Sequence, residues 1–234
     1  MIRLDKFLAQ MNIGTRSEVK NAIRKGKVSV NGEVCKTADA KIDENKDVVF
    51  YENQEVKFEQ YVYYMLNKPA GVVSATKDNL DETVLDLLKE VNIKDVFPVG
   101  RLDKDTEGLL LLTNDGDLAH KLLSPRKHIC KTYFVRTKNP VTDEQLKMLE
   151  SGVDIGEESL TMPAETTKED EKQLFLTIYE GKFHQVKRML KAVGNEVVYL
   201  ERIKMGPLSL DKNLKRGEFR KLTSYEVELL KADN

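Results

Sequence analysis

The 234-residue chain has only two cysteines and three histidines. Cys35 and Cys130 form no Cys-x-x-Cys pair, so neither a disulfide framework nor a structural zinc site is expected. No apolar run approaches the roughly 20 residues that cross a membrane. The opening Met1-Ile2-Arg3-Leu4-Asp5-Lys6 has no apolar signal core, and a cytoplasmic protein with no membrane partner is expected. The glycine-rich loops that cradle nucleotide phosphates are missing, and no residues show metal-ligand spacing. Neither a cofactor nor a metal is expected, which leaves any chemistry to side chains.

What is present is the balance of a soluble globular protein, 40 % hydrophobic and 33 % charged, at a length suited to one large and one small domain. The net charge of −1 averages over faces, whereas local clustering decides affinity for nucleic acid. The first 36 residues carry eight Lys or Arg against three Asp or Glu, and the compensating acid lies in 39–59 and 165–171.

In the first domain, set at 1–43, Leu4, Phe7, Leu8 and Met11 follow helical spacing. Thr15-Arg16-Ser17-Glu18 is a capping box for a second helix with Val19, Ala22 and Ile23 facing inward and Gly26 as its stop. Two alternating runs around Asn31-Gly32 predict a hairpin. Arg16, Lys20, Arg24 and Lys27 recur at spacings of three and four, so they share one side of the second helix. The polar, acidic stretch 44–59 reads as a linker.

The second domain, 60–234, opens on a strand from Val62 to Leu66 and the turn Asn67-Lys68-Pro69-Ala70-Gly71. A short helix is expected over Glu82 to Leu88. In the central stretch, Val99 to Gly116, Arg101 and Asp103 stand in a turn before Leu109 to Leu112, a run suited to a strand buried on both faces. Asp117 reads as the cap of the helix after it. Further on come a strand over Lys131 to Val135, a helix over Thr142 to Leu149 and an exposed loop over Glu165 to Lys172. A strand over Leu174 to Ile178, a helix from His184 to Val193, a strand from Val197 to Arg202 and a helix from Thr223 to Leu230 complete it. Strands and helices interleaved without regular βαβ units predict an α+β class, with a mixed, largely antiparallel sheet flanked by helices.

Taken singly, Asp103 is a turn cap with Arg101 as its surface partner, Tyr133 an interface aromatic and Lys187 an exposed helix cation. The longer wording around them changes that. Gly100-Arg101-Leu102-Asp103, followed by Thr106-Glu107-Gly108-Leu109-Leu110-Leu111-Leu112-Thr113-Asn114-Asp115-Gly116, resembles the signature of the pseudouridine synthases of the small-subunit rRNA branch. Lys131-Thr132-Tyr133-Phe134-Val135 is similar to that family's second motif, and Gly181-Lys182-Phe183-His184-Gln185-Val186-Lys187-Arg188 to its third, with lysine where many members have arginine. Arg3-Leu4-Asp5, Gly14-Thr15-Arg16-Ser17 and Val28-x-Val30-Asn31-Gly32 are similar to an S4 domain, a small RNA-binding module.

The resemblance implies isomerisation of a uridine within RNA: the N1–C1′ bond breaks, the base turns, and C5 bonds to C1′. It implies Asp103, Tyr133 and Lys187 as catalytic residues, and a pocket shaped by Leu200, His184 and Gln185. Arg101 would fill the space an extruded base leaves. Arg3, Arg16, Ser17, Arg24 and Lys27 would contact RNA backbone in the S4 module, and Arg126, Lys131, Lys182, Arg188 and Arg202 would hold phosphates around the pocket. The implied partner is 16S ribosomal RNA, naked or in a partly assembled small subunit, and the implied state a monomer. Two alternatives stay open: a 23S rRNA synthase of the same family, whose members often carry a basic C-terminal extension, and a non-catalytic assembly factor that keeps the fold for binding.

Overall fold

A computed structural model of the protein describes residues 1–88 and 95–232. They form two compact units, one built on Met1–Val62 and one on Tyr63–Leu88 and the chain from Phe97 onward.

The first unit runs β1 (Ile2–Arg3), α1 (Leu4–Gln10), α2 (Arg16–Arg24), β2 (Val28–Val30), β3 (Glu33–Val34), β4 (Lys41–Ile42), β5 (Val49–Tyr51) and β6 (Gln54–Val56). The capping box forms as the sequence predicts, with Glu18 N–H donating to Thr15 Oγ1 and Thr15 N–H donating to the Glu18 carboxylate. Leu4, Phe7, Leu8, Val19, Ile23 and Val28 close a core between the helices and a sheet ordered β3-β2-β5-β6. The expected linker is therefore corrected, because β5 pairs with β2 and residues 49–56 belong to this unit. Glu52 and Asn53 both adopt left-handed backbone, φ 47° and 67°, in a two-residue hairpin loop. Glu-Asn is not the usual Asn-Gly signal for that turn, and it went unread.

The second unit runs β7 (Tyr63–Lys68), β8 (Phe97–Pro98), β9 (Glu107–Thr113), α3 (Gly116–Leu123), β10 (Lys131–Thr137), α4 (Asp143–Ser151), β11 (Glu165–Asp170), β12 (Gln173–Ile178), α5 (Gln185–Ala192), β13 (Val197–Met205), β14 (Leu208–Ser209), β15 (Phe219–Lys221) and α6 (Ser224–Ala232). Among the described residues they build a nine-stranded sheet along the path β11-β12-β10-β13-β9-β7-β15, with β14 on β13 and β8 on β9. Leu109, Leu110, Leu111 and Leu112 are each 0 % exposed, so β9 is buried on both faces.

Three local expectations change. The stretch read as an exposed loop at Glu165 to Lys172 is mostly β11, an outer strand whose charges face solvent and blunt its free edge. Only Asp86–Leu88 forms a 3-10 turn, although Thr83 and Asp86 make the reciprocal bonds of a cap. Asp115 rather than Asp117 caps α3, because the helix starts at Gly116; its carboxylate accepts from Leu118 N–H at 3.0 Å and from Tyr63 Oη–H at 2.6 Å.

The pairing of β9 with β13 is parallel, joining Glu107 to Glu201 and Gly108 to Arg202. Gly108 has φ +97°, and a Cβ there would lie 2.3 Å from Arg202 O, so the close approach requires glycine. The two glutamates meet as like charges, and Arg216 offsets them, with Nε 2.8 Å from Glu107 and Nη2 2.8 Å from Glu201.

Candidate active site

The loop between β8 and β9 carries Asp103, and its main chain is pinned from below. Lys68, at the end of β7 and 0 % exposed, donates from Nζ to the carbonyls of Pro69 at 3.1 Å, Asp103 at 3.1 Å, Lys104 at 3.2 Å and Thr106 at 2.9 Å. Burial pushes its ammonium down to about 8, opposed by the charges of Asp105, Asp103 and Glu107. Ser74 Oγ donates to Leu102 O at 2.9 Å and accepts from Leu102 N–H at 3.0 Å. A buried cation thus converts a polar turn into a rigid platform.

The carboxylate above that platform faces α5. Lys187 Nζ is 3.0 Å from Asp103 Oδ2 and 2.6 Å from Asp105 Oδ1, and His184 Nε2 is 3.5 Å from Asp103 Oδ1. Burial works against the Lys187 charge, but hydrogen bonds and charges of Asp105 and Asp103 hold the ammonium above its ordinary value. The hydrogen bond from Lys187 holds Asp105 below the usual carboxylate range. The ion-pair partner of Asp103 is therefore Lys187, 84 positions along the chain, and not Arg101 on its own turn.

Asp103 lines a cavity of about 190 Å³, room enough for a single ring. The register of β10 on β13, Tyr133 to Arg202 and Val135 to Leu200, brings Tyr133 and Leu200 into its wall. Both are largely buried, 8 % and 6 % exposed. Arg101, Lys131, Lys182, His184 and Gln185 also line it. Lys131 Nζ donates to Ile129 O at 2.8 Å; burial and then the charge of Arg202 push its ammonium down to about 8. Arg126 is exposed on the turn before β10.

Several expected RNA contacts are otherwise engaged. Arg202, which also lines the cavity, is 2 % exposed and donates from Nε to Leu109 O at 2.8 Å, so it braces β9. Arg188 pairs with Glu157 at 2.7 Å and donates to the carbonyls of Phe183 and Ile155. Gln185, 4 % exposed, lines the cavity and also braces its loop, accepting from Lys182 N–H and donating to Glu180. In the first unit Arg3 forms a two-bond pair with Asp5, and Lys27 pairs with Glu52 at 2.5 Å, while Arg16, Ser17 and Arg24 are exposed. Sequence reasoning gave no role to Lys68 or Asp105. The signal for Asp105 was its place two residues after Asp103; that for Lys68, a lysine inside an apolar strand end, was read as turn chemistry.

The model of the RNA pseudouridylate synthase family matches residues 62–192, and that of the S4 domain matches residues 2–48. An uncharacterized RNA pseudouridine synthase of Bacillus subtilis, YtzG, is 48 % identical over 234 residues, covering 98 % of both chains. Ribosomal small subunit pseudouridine synthase A is 42 % identical in Vibrio cholerae, over 97 % of this chain and 98 % of that one, and 42 % identical in Escherichia coli with the same coverage. A crystal structure of a pseudouridylate synthase superposes with a TM-score of 0.70 at 40 % identity, covering 98 % of this chain and 100 % of the other. With Asp103, Tyr133 and Leu200 around one cavity and an S4 unit at its N-terminus, this chain belongs to the RNA pseudouridylate synthase family.

Proposed function

We propose that the protein converts one uridine of small-subunit (16S) ribosomal RNA to pseudouridine, acting as a cytoplasmic monomer without a cofactor. The observation that carries this reading is the Asp103 carboxylate held by Lys187 at the wall of a single-ring cavity that also contains Tyr133. The near full-length similarity to small-subunit enzymes supports the substrate class.

The reaction is an isomerisation. The N1–C1′ bond breaks, C5 bonds to C1′, the proton on C5 leaves, and N1 gains one, so no oxidant or group donor is consumed. Asp103 supplies a fixed negative charge where C1′ becomes electron-poor, and can add to the sugar or the ring. Lys187, 3.0 Å from that carboxylate, aims it. Tyr133 stacks on the uracil and Leu200 forms the apolar wall. Arg101 occupies the space the base leaves, while Lys131, Lys182 and Arg126 meet flanking phosphates. In the S4 unit Arg16, Ser17 and Arg24 engage RNA backbone at an exposed helix N-terminus and face.

The test is pseudouridine mapping of ribosomal RNA from cells with and without the gene. One site in small-subunit RNA should vanish and return on complementation. Loss of a site in large-subunit RNA would move the substrate, and an unchanged map would favour a binding role.

A further inference from the structure

Phe183 stands 68 % exposed beside the cavity, and its ring stacks on the imidazole of His184 at 3.8 Å and 19°. His184 in turn reaches Asp103, Nε2 to Oδ1 at 3.5 Å. An aromatic left in water is unremarkable on a loop free to move, but this loop is tied on both sides of the ring. Lys182 N–H donates to Gln185 Oε1 at 2.9 Å, and Arg188 Nη1 donates to Phe183 O at 3.0 Å. His184 holds left-handed backbone, φ 48°, a conformation that costs a non-glycine residue about 1 kcal/mol or more. The local structure presents the ring outward instead of folding it away.

We infer that Phe183 is a stacking seat for an unpaired RNA base next to the uridine that enters the cavity. This rests on the proposed reaction. Extruding a nucleotide unstacks its neighbours at a cost of a few kcal/mol, and base-on-aromatic stacking returns about 1–3 kcal/mol per base. Phe183 is placed where that return counts, one imidazole away from the reacting carboxylate. A flat face without hydrogen-bond donors accepts any base, so the residue positions the strand and does not read sequence. It is a positioning residue, set apart from the catalytic group by His184.

The chain has no tryptophan, so Phe183→Trp creates a single indole at this position, whose red-edge excitation separates it from the eight tyrosines. Titrated with a small-subunit rRNA transcript, its emission should be quenched in step with binding measured separately on a filter. Phe183→Ala should raise KM about 5- to 100-fold, with the single-turnover rate at saturating enzyme far less affected. Phe183→Leu should lose about as much as Phe183→Ala, because it keeps apolar area but no ring. Unquenched emission at saturating RNA, or a Phe183→Leu enzyme as good as the parent, would overturn the inference. If the transcript is not modified but another RNA is both modified and quenches the tryptophan, the seat stands and only the choice of ribosomal subunit falls.

Discussion

Lys187 grips two carboxylates at once, Asp103 at 3.0 Å and Asp105 at 2.6 Å, so a single ammonium is shared by two acids that stand two residues apart on one loop. Removing it leaves two like charges close together, the largely buried Asp103 and the exposed Asp105, with no cation between them.

Asp103→Asn is expected to abolish pseudouridine formation, by roughly a thousandfold or more, with RNA affinity kept within a few-fold. Release of tritium from C5 of labelled uridine in RNA measures the turnover, and retained release would take Asp103 out of its role. Lys187→Met should lose most activity while Lys187→Arg keeps part of it. Because the Lys187 ammonium is held above its ordinary value, it stays charged through neutral and mildly alkaline pH and should not set a basic limb there.

Lys131, like the carbonyl-bound Lys68, titrates nearer neutrality than an ordinary lysine, and of the two it lines the cavity. With its ammonium pushed down to about 8, it is charged below that pH and neutral above it, so kcat/KM should fall several-fold between pH 7 and pH 9 as a phosphate contact is lost. Lys131→Arg stays charged throughout, and its profile over the same range should be flatter. A parent enzyme with no such fall, or a variant with the same one, would remove Lys131 from the phosphate contacts.

Gly108→Ala should destabilise the second unit by more than about 2 kcal/mol, since the new methyl meets Arg202 O at 2.3 Å in a left-handed backbone. A shift of the urea midpoint to lower concentration, with an unchanged slope, is the expected result.

Replacing Arg16 and Arg24 together by Ala should weaken RNA binding and lower the slope of log affinity against log salt by roughly 1.5, two phosphate contacts' worth. An unchanged slope would place the binding face elsewhere on this unit.

The elements with strong local signals were legible in the sequence. The Asn31-Gly32 hairpin, the Thr15-Glu18 box and the buried Leu109 to Leu112 strand all form where turn chemistry and periodicity put them. β5, β6 and β11 were missed because a Glu-Asn turn and a charged outer strand look like loop on composition alone. The site was legible by family wording, not by physics: spacing gave no reason to join Lys187 to Asp103. The bracing roles of Lys68, Arg188 and Arg202 depend on carbonyls far along the chain, and no local window contains them.

The parallel seam between β9 and β13, closed by Arg216, has a consequence for biosynthesis. Gly108 leaves the ribosome long before Arg202, and Arg216 later still, so the edge of β9 that follows the Asp103 loop is paired only after all three have been made. A nascent chain therefore carries β9 without this seam until Arg202 and Arg216 have followed, and with partners so distant in sequence this closure should be slow.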